Sequence, residues 1–189
     1  MTITYRSAEN SEISQVLELH HRYQVDSISE DDKNDGFITT AFSQKQLAEL
    51  IERENGLSVA IKENKVVAYA MAASWGYWSQ WPMFAHMVEG LAQLQYAEQT
   101  LSLDNSYQYG PVCVDKSLRG EGVFEKIFDY SLKSMADRYP ILITFINKTN
   151  SRSYNAHTRK AGLDVIHEFE YNNKQYYELA CLSSKAPIQ

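Results

Sequence analysis

The chain of 189 residues suits a single domain with its own core, and hydrophobic residues at 44% and charged residues at 22% are those of an ordinary globule. No run approaches the roughly 18 consecutive apolar residues of a membrane span, so no membrane partner is expected. The net charge of −6 argues against a nucleic-acid surface, and it is uneven: residues 1–54 hold eleven acids and five bases, residues 113–161 nine bases and five acids.

An acidic front and a basic middle imply two different ligands. Cys113 and Cys181 lie in apolar strand-like runs, outside any CxxC or histidine-spaced set, so neither a disulfide framework nor a metal site is indicated. A cytoplasmic setting is expected, since "MTITYRSAEN" lacks the layout of a signal peptide.

"TITYR" alternates like a strand, and a helix follows with Ser11 as cap and Ile13, Val16, Leu17 and His20 inward. An acidic loop spans 26–36. The next helix opens on a Ser43/Gln46 capping box, buries Leu47, Leu50 and Ile51, and stops at Asn55-Gly56. "LSVAIK" and "KVVAYAMAA" form a hairpin around Glu63-Asn64. Pro82 fits the first turn of a helix showing Phe84, Met87, Val88 and Leu91. "YQYGPVCVD" is a strand interrupted at Gly110-Pro111, where a regular ladder cannot close. A helix with Val123, Ile127, Phe128, Ser131 and Met135 inward leads to "ILITFI", whose unbroken apolar run marks a central strand. "NSRSYNAHTRKAG" is a helix stopped by Gly162, and a last hairpin turns at Asn172-Asn173. The order gives an α/β (α+β) domain over 1–183: a mixed central sheet of about seven strands flanked by helices on both faces, with 184–189 a frayed tail.

Between the interrupted strand and its helix stands Arg119-Gly120-Glu121-Gly122. The first amides of a helix lack internal partners and carry partial positive charge, and glycines let a bulky anion such as a pyrophosphate reach them. The alternative is that the two glycines only tighten a turn. No GK[ST] follows, and Glu125 stands where a dinucleotide fingerprint needs its third glycine.

With the Gly110-Pro111 break before the loop and an Asn-led helix after the next strand, residues 107–170 resemble the GNAT superfamily of acyl-CoA-dependent N-acetyltransferases. The element order elsewhere agrees, except over 75–106. The loop aligns as Ser117-Leu118-Arg119-Gly120-Glu121-Gly122, with Ser117 in place of the usual Gln or Arg and Phe124 in place of a small residue. The resemblance implies the GNAT fold and acetyl-CoA as co-substrate, with no metal. By it, Val112, Cys113 and Val114 pair their main chain with pantetheine, and Leu118, Arg119, Gly120, Glu121, Gly122, Val123 and Phe124 hold the pyrophosphate. Lys116 and Arg152 add charge there, Asn150 bonds the pantetheine arm, and Ser153 lies beside it.

The family's proton-donor slot, seven residues beyond the helix-opening Asn, falls on His157, with one residue more than usual before Gly162; Tyr154 is the reserve. On the acceptor side, Asp31 and Asp32 of the acidic loop would attract a cation. Trp75, Trp78 and Trp81 form either an aromatic wall for an alkylammonium or a core or homodimer seam. The resulting expectation is a small-molecule, cationic amine acceptor. Its rivals are a non-catalytic acyl-CoA-binding module and a protein N-terminal or lysine acetyltransferase.

Overall fold

The computed structural model describes residues 2–24, 28 and 38–188. Seven strands form one sheet in the order β1-β2-β3-β6-β7-β9-β8. These are β1 (Thr4–Ser7), β2 (Leu57–Lys62), β3 (Lys65–Ala73), β6 (Ser106–Val114), β7 (Ile141–Asn147), β8 (Asp164–Tyr171) and β9 (Lys174–Leu182). Every pairing is antiparallel except β6 with β7. Both hairpins turn on paired left-handed residues, Glu63-Asn64 and Asn172-Asn173, as the sequence implies. A second, two-stranded sheet joins β4 (Gln95–Tyr96) to β5 (Gln99–Thr100).

Helices α1 (Ile13–Tyr23), α2 (Gln44–Glu52), α3 (Trp75–Trp78) and α4 (Pro82–Leu91) supply buried residues to one core, and α5 (Val123–Ala136) supplies those of the other. The Ser43 box closes as expected: Gln46 N–H donates to Ser43 Oγ at 3.2 Å, and Ser43 N–H donates to Gln46 Oε1 at 2.8 Å. Ser11, expected to cap α1, does not. The chain enters through a 3₁₀ turn (Asn10–Glu12), where the Glu12 carboxylate, paired with Arg6, accepts from the Glu9 amide at 2.9 Å. The turn moves the capping position upstream, to Glu9 with Glu12. Leu19 is buried along α1, whereas Leu17 is only partly covered.

Residues 75–106 are bound tightly to the sheet. Trp75 and Trp78 are 1% and 0% exposed, and their indole N–H groups donate to Ser106 Oγ and to the Gln108 carbonyl, each at 3.0 Å. With Phe84 stacked on Trp78 at 4.8 Å, these rings are core, and the aromatic wall expected to receive an amine is corrected to a packing layer. Trp81 caps the cluster from a half-buried position against Phe42 and Tyr77. At the other end, the tail expected to fray is tied down: Ile188 N–H donates to Asp129 Oδ2 at 2.9 Å and the Lys185 ammonium donates to the Ala161 carbonyl.

Candidate functional site

The site originates where β6 leaves β7. The two strands pair only from Ser106 to Gln108 against Ile141 to Ile143, and Thr144 Oγ1 adds one further link, 2.7 Å to the Tyr109 carbonyl. Beyond it, Val112, Cys113 and Val114 pair with Ala70, Tyr69 and Ala68 of β3 alone, so their other edge faces a cleft. The Gly110-Pro111 break read from the sequence is therefore the splay point, and the peptide bond there is cis.

The cleft has a volume of about 520 Å³ and is walled by Val112–Val114, by Leu118, Arg119, Gly120 and Phe124, and by residues 150–153, 155–157, 159 and 160. Gly120 and Gly122 take φ of 89° and 76°, the left-handed region that side chains with a Cβ resist, and a Cβ at either would meet no atom within 4 Å. Gly122 is the N-cap of α5, and no side chain caps that helix. Gly120, Phe124 and Glu125 bring this helix entry to the cleft, whereas Glu121, Gly122 and Val123 do not line it; a helix N-terminus carries partial positive charge, which suits an anion. Val123 turns its side chain into the core, and Ser117 is committed to Asp115 Oδ1 at 2.7 Å. Arg119, Arg152, Arg159 and Lys160 line the cleft against one acid, Glu125, which Lys160 pairs at 3.0 Å. Arg119 is set by a 3.2 Å bond from Nε to the Val114 carbonyl and lies over the Tyr23 ring.

Across the cleft, Asn150 caps helix α6 (Ser151–Asn155) by accepting from Ser153 N–H at 3.2 Å. The helix then widens into a π turn, Ala156–Lys160. A single-residue insertion in a helix produces such a bulge, which accounts for the extra residue between His157 and Gly162.

His157 is 3% exposed, with Phe124 and Tyr109 rings edge-on at 5.1 and 5.9 Å. Its Nδ1 lies 2.8 Å from the Ser153 carbonyl, so the proton sits on Nδ1 and Nε2 carries none. Burial drives its pKa down to about 4, so at neutral pH the ring is uncharged and its single proton is held by the Ser153 carbonyl, away from a departing thiolate. Tyr154 packs on Tyr177 at 4.7 Å and is not among the residues lining the cleft. Both expectations for the proton donor thus meet unfavourable geometry. Cys113 is buried and its thiol is pushed up to about 12, which keeps it inert.

A smaller chamber of about 90 Å³ continues the cleft through the splay, and Ile38, Val112, Asn150, Ser153 and His157 border both. Gln108, Thr144 and Tyr176 line it with Phe84, the contribution of the 75–106 segment. Gln108 is 1% exposed, and its Oε1 has no hydrogen-bond partner among the described residues. Tyr176 lies beside Asn147, and burial raises its pKa, so its hydroxyl stays protonated. The Thr39–Thr40 wall is held by His20, whose Nε2 donates to the Thr40 carbonyl at 2.7 Å while Nδ1 accepts from the Tyr69 hydroxyl at 2.6 Å. Gln108, Thr144 and Tyr176 escaped sequence reasoning because only the splay brings them together. Asp31 and Asp32 lie outside the described residues.

No protein-family model matches the sequence, and no curated protein matches it. Solved structures do match. The candidate acetyltransferase yncA from Salmonella typhimurium, solved with its cofactor acetyl-CoA, is 13% identical with a TM-score of 0.64, covering 99% of this chain and 98% of that one. The ribosomal-protein-S18-alanine N-acetyltransferase from Escherichia coli is 13% identical at a TM-score of 0.61, covering 98% and 96%. A GNAT-family acetyltransferase from Streptococcus pneumoniae is 11% identical at a TM-score of 0.61, covering 96% and 99%.

The chain has the GNAT acetyltransferase fold.

Within the GNAT frame, the two-glycine loop, the splayed strand edge and the chamber behind it lie on one continuous surface. Among the described residues no cluster of three metal-ligating side chains occurs and no helix is long and apolar enough to cross a membrane.

Proposed function

We propose that this protein is an N-acetyltransferase that uses acetyl-CoA to acetylate the primary amine of a small, cationic acceptor. The observation that carries the proposal is the left-handed glycine entry to α5, whose Gly120 borders the cleft, beside the edge of Val112–Val114 that no strand pairs. The residues present suit the ligand. The α5 amides with Arg119 and Arg152 take the phosphates, the β6 edge takes the pantetheine amides as an added strand, and the chamber takes the acyl end. Bound there, acetyl-CoA supplies an acetyl group activated as a thioester.

The chain's own groups perform the rest. Gln108 Oε1, unpartnered and buried, accepts a hydrogen bond from the acceptor amine and orients its lone pair. The chamber is lined by threonine, asparagine and aromatic groups with no carboxylate among its described residues, so it favours the neutral amine over the ammonium ion. Tyr176 Oη holds a proton at neutral pH and lines the chamber; its role in this reading is to give that proton to the departing sulfur. The small chamber suits an amine on a slender chain, and Asp31 and Asp32 supply the attraction for a cation.

A non-catalytic acyl-CoA-binding module remains the second reading, favoured by the neutral His157 and the averted Tyr154. Incubation with acetyl-CoA and a panel of diamines, amino acids and peptides, following free thiol, separates the readings. Thiol release with a small amine supports the enzyme, and preference for peptides moves it to protein acceptors. Tight CoA binding without turnover on any amine leaves only the binding module.

A further inference from the structure

On the same side of the sheet as the chamber, β9 carries a buried acid with nothing to neutralise it. Glu178 is 3% exposed, and its Oε1 has no hydrogen-bond partner among the described residues. Its strand neighbours are Phe145 on β7 and His167 on β8, neither of which compensates a carboxylate with a fixed charge. Burying an unpaired carboxyl costs stability unless something meets it.

Glu178 borders a cavity of about 450 Å³ between α4 and the β8–β9 edge. The rest of the lining is of three kinds. Met87 and Leu94 are apolar, Phe169 offers an aromatic ring, and His86, Glu89, Gln93 and His167 are polar. No lysine or arginine is among the described residues that line it. Gly90 also borders it, at a position in α4 where no positive φ is recorded and an added Cβ would meet nothing within 4 Å. Neither backbone nor crowding demands glycine there, although glycine weakens a helix by about 1 kcal/mol against alanine. Its effect is to leave the cavity wall open. The cavity shares no lining residue with the acyl-transfer chamber, and Tyr176, stacked on Phe169 at 5.2 Å, stands between them.

We infer that this cavity is a second binding site, for the ammonium group of a short alkylamine, with Glu178 as its counter-ion. Glu178 with Glu89 supplies the charge, Phe169 receives the cation on its π face, and Met87 and Leu94 cover the methylene chain. The absence of any metal-ligating cluster of three among the described residues favours an organic cation over a metal ion. The site does not depend on the acyl-transfer proposal, because it uses none of that site's residues.

The histidines make the test local. His86 and His167 border this cavity and His157 borders the chamber, so imidazole resonances report the two places separately. Titrating the full chain with 1,4-diaminobutane is expected to shift the His86 and His167 signals saturably, and 1,4-butanediol is expected to leave them unmoved. Glu178→Gln should weaken the diamine by about ten-fold or more while leaving CoA affinity as it was. A capped lysine, Nα-acetyl-lysine amide, forms the second arm: tighter binding than the diamine assigns the ammonium to a protein side chain, weaker binding to a free amine. Shifts confined to His157, equal response to the butanediol, or undiminished binding by Glu178→Gln would each overturn the site.

Discussion

Thr144 Oγ1 donates a 2.7 Å hydrogen bond to the Tyr109 carbonyl, and this is the last link between β6 and β7 before the strands part. The hydroxyl thereby fixes where the cleft begins. Thr144→Val preserves shape but removes the donor, with an expected loss of about 1 kcal/mol in urea denaturation. CoA affinity should fall modestly at the same time, because the edge that receives pantetheine is no longer anchored. Unchanged affinity alongside the lost stability would show that the splay is set elsewhere.

Gly122 holds φ of 76° at the start of α5. Gly122→Ala forces a Cβ into left-handed backbone at a cost of roughly 1–2 kcal/mol and puts it beside the amides that would meet phosphate. Calorimetry should show CoA binding weakened about ten-fold or more. Wild-type affinity in this variant would mean that the pyrophosphate sits elsewhere.

Tyr176 is the hydroxyl assigned to the leaving sulfur. Tyr176→Phe should reduce kcat by about 100-fold with little change in the KM for acetyl-CoA. His157→Gln, which keeps a donor for the Ser153 carbonyl, should cost far less, since the one proton of the neutral ring is held by that carbonyl. Equal losses in both variants would return His157 to the mechanism.

Two buried groups set opposite pH dependences. His157 has its pKa lowered by burial from 6.5 to about 4, so between those values the unfolded chain binds the extra proton. Its contribution to stability is complete above 6.5 and is lost as pH falls toward 4. Glu178 has its pKa raised by burial from 4.5 to about 7, so there the folded chain holds the extra proton. Its contribution is complete below 4.5 and is lost as pH rises toward 7; His86, Glu89 and His167 are the titratable groups bordering its cavity. Each full swing is worth roughly 3 kcal/mol, so the two nearly cancel between pH 4.5 and 6.5. His20, Glu12 and Asp115, whose pKa values are also lowered, add a background slope, so in denaturation across that window the stability of Glu178→Gln should rise more steeply with pH than that of the wild type, and that of His157→Gln less steeply. Parallel slopes in the two variants would contradict the assignment.

Local rules account for several parts of the molecule. The Ser43 box, the Glu63-Asn64 and Asn172-Asn173 turns, Pro82 at a helix start and the bare glycines before α5 each answer to backbone conformation within a few residues. Such constraints are written in adjacent side chains, and so the glycine loop and the helix it opens were legible. The tertiary structure alone decided what depends on distant partners. Whether Trp75 and Trp78 face a ligand or the core turned on Ser106 and Gln108 some thirty residues away, and they face the core. The charge state of His157 turned on desolvation by Phe124 and Tyr109 from two other elements. Gln108, Thr144 and Tyr176 come from three strands and share a chamber only because β6 and β7 diverge. Spacing within a chain encodes the path of its backbone, whereas burial and proton affinity belong to whatever the folded chain packs around a group.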